Sequence, residues 1–441
     1  MLATPLITAL RHASTSAVST GRHKIVVVGA GSGGLAVANQ LANSFKSEGK
    51  ELAKGDIAVV DAATTHHFQP GWTIVGSGLR AKEDFARPTD SLIPEHIAHI
   101  KSNVKEFSPS ANALVLESGE TVGYDFLIVA AGIQINYDKV KGLKEALARP
   151  LESKVSTIYN YDTCDKTWDL IESTQSGKAL FTQPFGPLKC AGAPQKVAYM
   201  AHDRFKRTGR IPGVGVEFVT GLPVMFGVPH YSKALDALRQ EKGIEADFAK
   251  DLCEVRVDGS DRVAVFKDLK GEGTVEKSFD MMHVVPPMGP LEFIKRSPLA
   301  DAAGWVDVSA SSLQHVKFPN VFSLGDCSSL PTSKTAAAIT AQTPVLVENL
   351  RKLMETGEVG KAVYDGYTSC PLFTGYGSLM LAEFKYGGVP SETFGALADQ
   401  RIPRRPFYHL AKDVFPYAYF KHMVKGEWYG PKGLIPPVFP A

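Results

Sequence analysis

Two of the five cysteines stand in settings that favour a reactive thiol. Cys190 lies in Leu188-Lys189-Cys190-Ala191-Gly192-Ala193-Pro194-Gln195-Lys196, directly ahead of a helical pattern. A helix N-terminus stabilises a thiolate, and Lys189 and Lys196 add positive potential. Cys370 lies in Tyr367-Thr368-Ser369-Cys370-Pro371-Leu372. Two cysteines on separate loops form a disulfide if the loops bring their Cα atoms within about 7 Å. The residues alone leave a second reading open, in which both are small buried hydrophobes, the usual state of a free cysteine. Cys164, Cys253 and Cys327 read as structural for the same reason. No C-x-x-C or zinc-ribbon spacing occurs. The adjacent His66 and His67 lack carboxylate or cysteine partners at ligand spacing, so no metal is expected.

A second chemistry is written in glycine. Ile25–Val28 is an apolar run, Gly29, Gly31 and Gly34 fill the G-x-G-x-x-G pattern with Ser32 and Gly33 inside it, and a helical segment follows. The first glycine permits a tight turn. The second lets backbone approach a pyrophosphate, and the third lets helix pack on strand. The helix N-terminus then offers free N–H groups to phosphate. Asp61 ends the next apolar strand, Ile57–Val60, where an acidic side chain binds a ribose hydroxyl. The interval is long, which we assign to the charged connection over 46–55.

These groups need elements to hold them. Residues 66–72, His-His-Phe-Gln-Pro-Gly-Trp, read as an aromatic loop near the cofactor, without helix or strand period. Short strands are expected around 97–108, 113–117 and 126–130, the last running into a turn at Gly132. The charged stretch 162–177 leads to a second α/β unit, with a strand at 178–182, a helix at 193–208 and a strand at 214–220. Its first turn has prolines and Cys190 in place of a glycine fingerprint, so the fold is duplicated and the second nucleotide site is not. A β-rich stretch covers 254–285. A late short strand ends in Gly325-Asp326, followed by Lys334 and a helical run over 335–353. Asp326 also suits an N-cap ahead of that helix. Residues 366–384 read as a hairpin.

The whole chain sets bounds. At 441 residues it is long enough for two or three domains. A formal net charge of +2 gives no nucleic-acid signature. No run reaches the ~18 apolar residues of a spanning helix. Residues 1–45 contain no Asp or Glu, and many Ser, Thr and Ala. That composition resembles a mitochondrial transit peptide, set here at about 1–21. Between Pro406 and Tyr429 the tail carries eight aromatics interleaved with Lys412, Lys421 and Lys425. This suits an interfacial, monotopic membrane anchor.

The phrases KCAGAPQK, YDGYTSCPL, GDCSSLPTSKTAAA, DAAGWVDV and HHFQPGWT resemble those of the mitochondrial-type sulfide:quinone oxidoreductases, in the flavoprotein disulfide reductase superfamily. The resemblance runs from about Lys24 to the C-terminus. It implies an α/β fold with two Rossmann-like domains: an FAD domain (22–150 and 297–365) and a degenerate NAD-like domain carrying Cys190 (151–296). A C-terminal hairpin with Cys370 and a membrane-interfacial segment complete it (366–441). It further implies FAD as cofactor, contacted by Ser32, Gly33, Asp61, Gln69, Val104, Gly325, Asp326 and Lys334, with Gly29, Gly31, Gly34 and Gly132 shaping the cradle. Cys190 and Cys370 become the redox pair. Hydrogen sulfide would be oxidised at the inner mitochondrial membrane and electrons passed to ubiquinone. Sulfane sulfur would leave on glutathione or sulfite, and a homo-oligomer is possible in such a family. A type II NADH:quinone oxidoreductase is the alternative, but it would need a second glycine fingerprint near 182–193. A non-catalytic flavoprotein would leave the settings of Cys190 and Cys370 unexplained.

Overall fold

The computed structural model describes residues 19–50 and 52–439. The leader expected at 1–21 lies outside them except for its last three residues, which already belong to the strand Ser19–Val28. That strand is central in a seven-stranded sheet. It pairs in parallel with Ile57–Val60 on one side and Thr121–Val129 on the other. Ala98–Ile100 extends one edge in parallel, and Ala113–Leu116 and Val104–Ser108 extend the other as antiparallel strands. Ile25, Val26, Val27 and Val59 have no exposed surface, which is why their runs are apolar on both faces. Val321–Ser323 returns from 194 residues away to pair with Leu127, Ile128 and Val129. The first domain is therefore built from two separated pieces of chain.

Between those pieces sits a five-stranded parallel sheet in the order Val155–Ser156, Met281–His283, Gly177–Gln183, Val214–Thr220 and Glu245–Phe248. A three-stranded antiparallel sheet, Lys250–Asp258, Asp261–Asp268 and Thr274–Ser278, accounts for the β-rich stretch. The hairpin is Thr368–Gly375 paired with Ser378–Phe384.

Two stretches carry more structure than their patterns suggest. In the aromatic stretch, Thr65–His67 pairs with Ala86–Pro88, and Trp72–Gly76 is helical. Three-residue strands are too short for a period of two to register. The charged stretch contains the helix Cys164–Ser173, which buries Cys164, Thr167, Leu170 and Ile171. Asp326 is no helix cap. It sits in a short 3-10 turn, Gly325–Cys327, and the helix Ala336–Thr356 is capped by the Thr335 hydroxyl, which accepts from the Ala338 N–H.

Candidate active site

A single cavity of about 730 Å³ connects these elements, within the range of cofactor pockets. Its lining runs from Gly29 to Gly433.

One end is the glycine turn. Gly29 has φ +104°, and a Cβ there would sit 2.5 Å from the Ala130 carbonyl oxygen. A Cβ on Gly34 would lie 1.7 Å from the Gly29 carbonyl oxygen, so Gly34 serves helix packing and does not line the cavity. Nothing lies within 4 Å of a Cβ placed on Gly31, which faces open space. The helix Ser32–Ser47 has no capping side chain and no acid in its first turn, so its N-terminus is left for an anion. Asp61 accepts N–H bonds from Ala30 (2.6 Å) and Ala63 (2.7 Å). A carboxylate has about four acceptor sites, so room remains for a hydroxyl. This cradle, which a side chain would fill, fits the pyrophosphate and ribose of FAD.

The C-terminal segment closes that end. Asn39 donates to Val424 O (2.7 Å), Gln40 to Gly426 O (3.1 Å) and Asn43 to Lys425 O (2.8 Å). Gly426 has φ +75°, and a Cβ there would meet the Gln40 nitrogen at 2.3 Å. His66 Nδ1 donates to Ala30 O, so its Nε2 accepts from the Tyr419 hydroxyl, which in turn accepts from Ser32. Burial holds His66 below the ordinary histidine range, in keeping with a neutral ring. Most tail aromatics thus turn inward: Phe407, Tyr408 and Tyr419 are buried, and Phe415 and Trp428 line the cavity. Tyr417, at 65% exposure, is the exception, joined on the outside by Val414, Leu434, Ile435 and Val438.

At the other end, the turn of the second unit meets the late Gly-Asp strand. Cys190 N–H donates to Lys334 O at 2.8 Å, which docks the two segments. Lys334 Nζ donates to the Asp326 carbonyl (2.6 Å) and lies 4.0 Å from the Trp305 ring centroid. Burial raises the Asp326 carboxyl and lowers the Lys334 ammonium from their ordinary ranges. Lys189 donates to Gln69 Oε1 at 2.6 Å, and burial pushes it down to about 8.

The two cysteines do converge. Their sulfurs are 3.7 Å apart, a reduced pair. Cys190 (φ +55°) lines the cavity, while Cys370 sits behind it, fully buried, with its neighbours Ser369 and Pro371 facing the cavity instead. This follows from strand alternation. Gly192 has no room for a Cβ, which would lie 2.4 Å from Cys370 Sγ. Lys196, buried on the first turns of Ala193–Arg207, places its Nζ 3.3 Å from Cys190 Sγ. The Cys190 thiol is held well below the ordinary range, first by the Cys370 S–H and then by the Lys196 charge and the Gly192 N–H. Cys370 is pushed well above it by the same contact and by burial, so the shared proton stays on Cys370. Burial also raises Cys164, to about 12, along with Cys253 and Cys327.

The cavity therefore assembles Gly29, Gly31, Ser32, Gly33, Asp61, Gln69, Gly132, Cys190, Gly325, Asp326 and Lys334, as the sequence led one to expect. Val104 does not join them. It is buried on the strand that pairs with Ala113–Leu116. Sequence reasoning missed Glu383, a lone acid in an apolar strand, and the His66–Tyr419 link, which spans 353 residues.

The pyridine nucleotide-disulphide oxidoreductase family matches residues 23–171. A mitochondrial sulfide:quinone oxidoreductase of Schizosaccharomyces pombe is 47% identical over 95% of this chain and 94% of its own. The mitochondrial sulfide:quinone oxidoreductase of Mus musculus is 40% identical over 95% and 90%. The crystal structure of the sulfide:quinone oxidoreductase of Aquifex aeolicus, at 19% identity, shares the fold with a TM-score of 0.72 over 92% of each chain.

Proposed function

The chain belongs to the mitochondrial sulfide:quinone oxidoreductases, and from that premise we infer how its own residues divide the reaction. It is an FAD-dependent mitochondrial enzyme that oxidises sulfide and reduces a quinone. The observation that carries the division of labour is the Cys190–Cys370 pair, 3.7 Å apart, with only Cys190 on the cavity.

Oxidised, the pair is a disulfide. Hydrosulfide attacks Cys370 Sγ, a persulfide forms there, and Cys190 leaves as a thiolate. The thiol with the lower pKa is the better leaving group, and Lys196 beside Cys190 makes it that one. A small nucleophile, glutathione or sulfite, takes the outer sulfur and leaves Cys370 as a thiolate. Cys190 and Cys370 then re-form the disulfide and release two electrons; FAD would supply the two-electron redox chemistry that couples this to the quinone. The glycine turn, Asp61 and the tail hold the nucleotide. Lys334, Asp326 and Lys189 surround its reactive end.

The hairpin separates the two substrates. Cys370 faces the helix Ala193–Arg207, and Pro371, Leu381, Phe394, Leu410 and Phe415 line the cavity on the opposite face. That apolar face is where a quinone ring docks. Val414 and Tyr417, next in sequence to the lining residues Phe415 and Ala418, are exposed, and we assign them with Leu434, Ile435 and Val438 to a surface for lipid. No described helix is long and apolar enough to cross a membrane; the exposed apolar residues support a monotopic contact at the inner membrane.

Anaerobic addition of sulfide should bleach the flavin and NADH should not. Bleaching by NADH alone would refute the reading, since no second glycine fingerprint follows Gly177–Gln183. Leu434→Glu with Ile435→Glu should lower flotation with cardiolipin-containing vesicles while sulfide bleaching persists; unchanged flotation would remove the lipid surface.

A further inference from the structure

A carboxylate that the sulfur chemistry leaves unused stands on the quinone face of the hairpin. Three carboxylates line the cavity: Asp61, Asp326 and Glu383. The first two lie at strand ends that hold the nucleotide. Glu383 is on Ser378–Phe384, opposite Ser369 and two residues from Leu381, so strand alternation places it with the apolar quinone-side residues. It is 4% exposed, and among the described residues no Lys, Arg or His forms an ion pair with it. Its surroundings are hydroxyl and amide groups.

The two oxygens are treated differently. Oε2 accepts from the Thr393 N–H (2.8 Å) and the Gln400 side-chain N–H (2.9 Å), which are fixed donors. Oε1 meets only hydroxyls, Tyr367 OH at 2.5 Å and Thr393 Oγ1 at 2.7 Å. A hydroxyl donates or accepts by rotation. A proton on this carboxyl therefore sits at Oε1, and the hydroxyls can turn to pass it. Tyr367 lines the cavity, and Thr393 is exposed. Thr393 lines the cavity as well, so the row Tyr367–Glu383–Thr393 runs along the cavity wall from the buried Tyr367 to an exposed residue.

We propose that Glu383 is the proton donor to the quinone, reloaded from water through the Thr393 hydroxyl and oriented by Tyr367. The proposal rests on the placement of the quinone argued above. Reduction of a quinone to a quinol takes two electrons and two protons. The electrons and one proton come from the reduced cofactor. Glu383 supplies the other proton: its Oε1–H bond breaks, an O–H bond forms on a quinone oxygen, and the carboxylate left behind takes a proton back from Thr393.

Glu383→Gln tests this in the FAD-loaded enzyme. The amide oxygen can keep the two N–H donors while its NH2 faces the two hydroxyls, so the shape is retained and the titrating proton is lost. Bleaching by sulfide should be unchanged, and binding of a non-reducible quinone analogue, read by tryptophan quenching, should stay within threefold. Reoxidation of the bleached enzyme by quinone should slow by about 10²-fold, the usual scale of general acid catalysis. Infrared difference spectra between sulfide-reduced and quinone-reoxidised enzyme should contain a carboxyl C=O band that is missing in the variant. A purely structural carboxylate would give no such band. Wild-type reoxidation in Glu383→Gln, or an unchanged infrared difference, overturns the proposal. Leu381→Trp separates it from the reading beneath: the ring fills the same face and should abolish analogue binding. Unaltered binding there would overturn the placement of the quinone itself.

Discussion

The chain contains the same structural position twice, and the two copies do opposite things. In each Rossmann-like unit a parallel strand with a buried C-terminal half, Ser19–Val28 or Gly177–Gln183, ends in a turn that opens a helix. In the first copy the turn is glycine, and its use is to be empty: Gly31 leaves open space, and the helix end keeps its N–H groups for a ligand. In the second the turn is filled. Prolines stiffen it, Cys190 occupies a positive-φ position, and Lys196 stands one helical turn inside. A helix N-terminus favours negative charge in either case. One copy finds that charge in a phosphate, the other in a thiolate of the chain itself. Topology fixes where chemistry can happen, and the turn residues decide which chemistry it is.

The contrast breaks most easily at Cys190. Cys190→Ser should cut sulfide-to-quinone turnover by at least ~10³-fold, on the scale of losing one member of a covalent catalytic unit, with flavin content unchanged. Turnover within tenfold of wild type would mean the second turn is not the sulfur site. Gly31→Val tests the other copy. No protein atom lies within 4 Å of its Cβ, and the side chain fills the cradle, so the fold should persist while FAD affinity falls by roughly 10²-fold, about 2.7 kcal/mol. A variant that keeps its flavin through dialysis would place the pyrophosphate elsewhere. Lys196→Met gives the smallest effect and sharpens the thiolate argument. The Cys190 pKa is depressed, so in the reduced wild-type protein its thiolate persists as pH falls below the usual thiol range, and a small alkylating agent should label it at mildly acidic pH. Removing the ammonium moves the labelling profile to higher pH. Loss of a charge-assisted bond of about 1.5 kcal/mol should slow labelling roughly tenfold at pH values below the wild-type midpoint, where the thiolate is the minor form. An unshifted profile would assign the depression to Cys370 and the Gly192 N–H alone.

Much of this was legible in the residues because the signals were local. The glycine turn, the Asp61 strand end and the Gly325-Asp326 turn are each a few residues long and carry their own conformational requirements. The hairpin was legible from alternation and a Gly-Tyr-Gly turn. The pairing of Cys190 with Cys370 was not, since it depends on a contact across 180 residues; only resemblance singled it out. The tail misled in an instructive way. Its aromatics read as a membrane-facing belt, yet Tyr419 and Trp428 turn inward onto the cavity, and the outward residues are mainly aliphatic. Composition does not say which face of a segment is covered. Glu383 gave no signal, because a lone acid in an apolar strand looks the same whether it caps a loop or moves a proton.

The clasp of Tyr419, Val424 and Gly426 on the first helix has a consequence for the life of the protein. The glycine turn leaves the ribosome long before the wall opposite it, which is built from residues 419–433. No nascent or partly imported chain possesses a finished cavity. Cofactor loading thus follows the synthesis of residues 419–433, and a chain cut short before them should emerge from the cell colourless, however well its two sheets have formed.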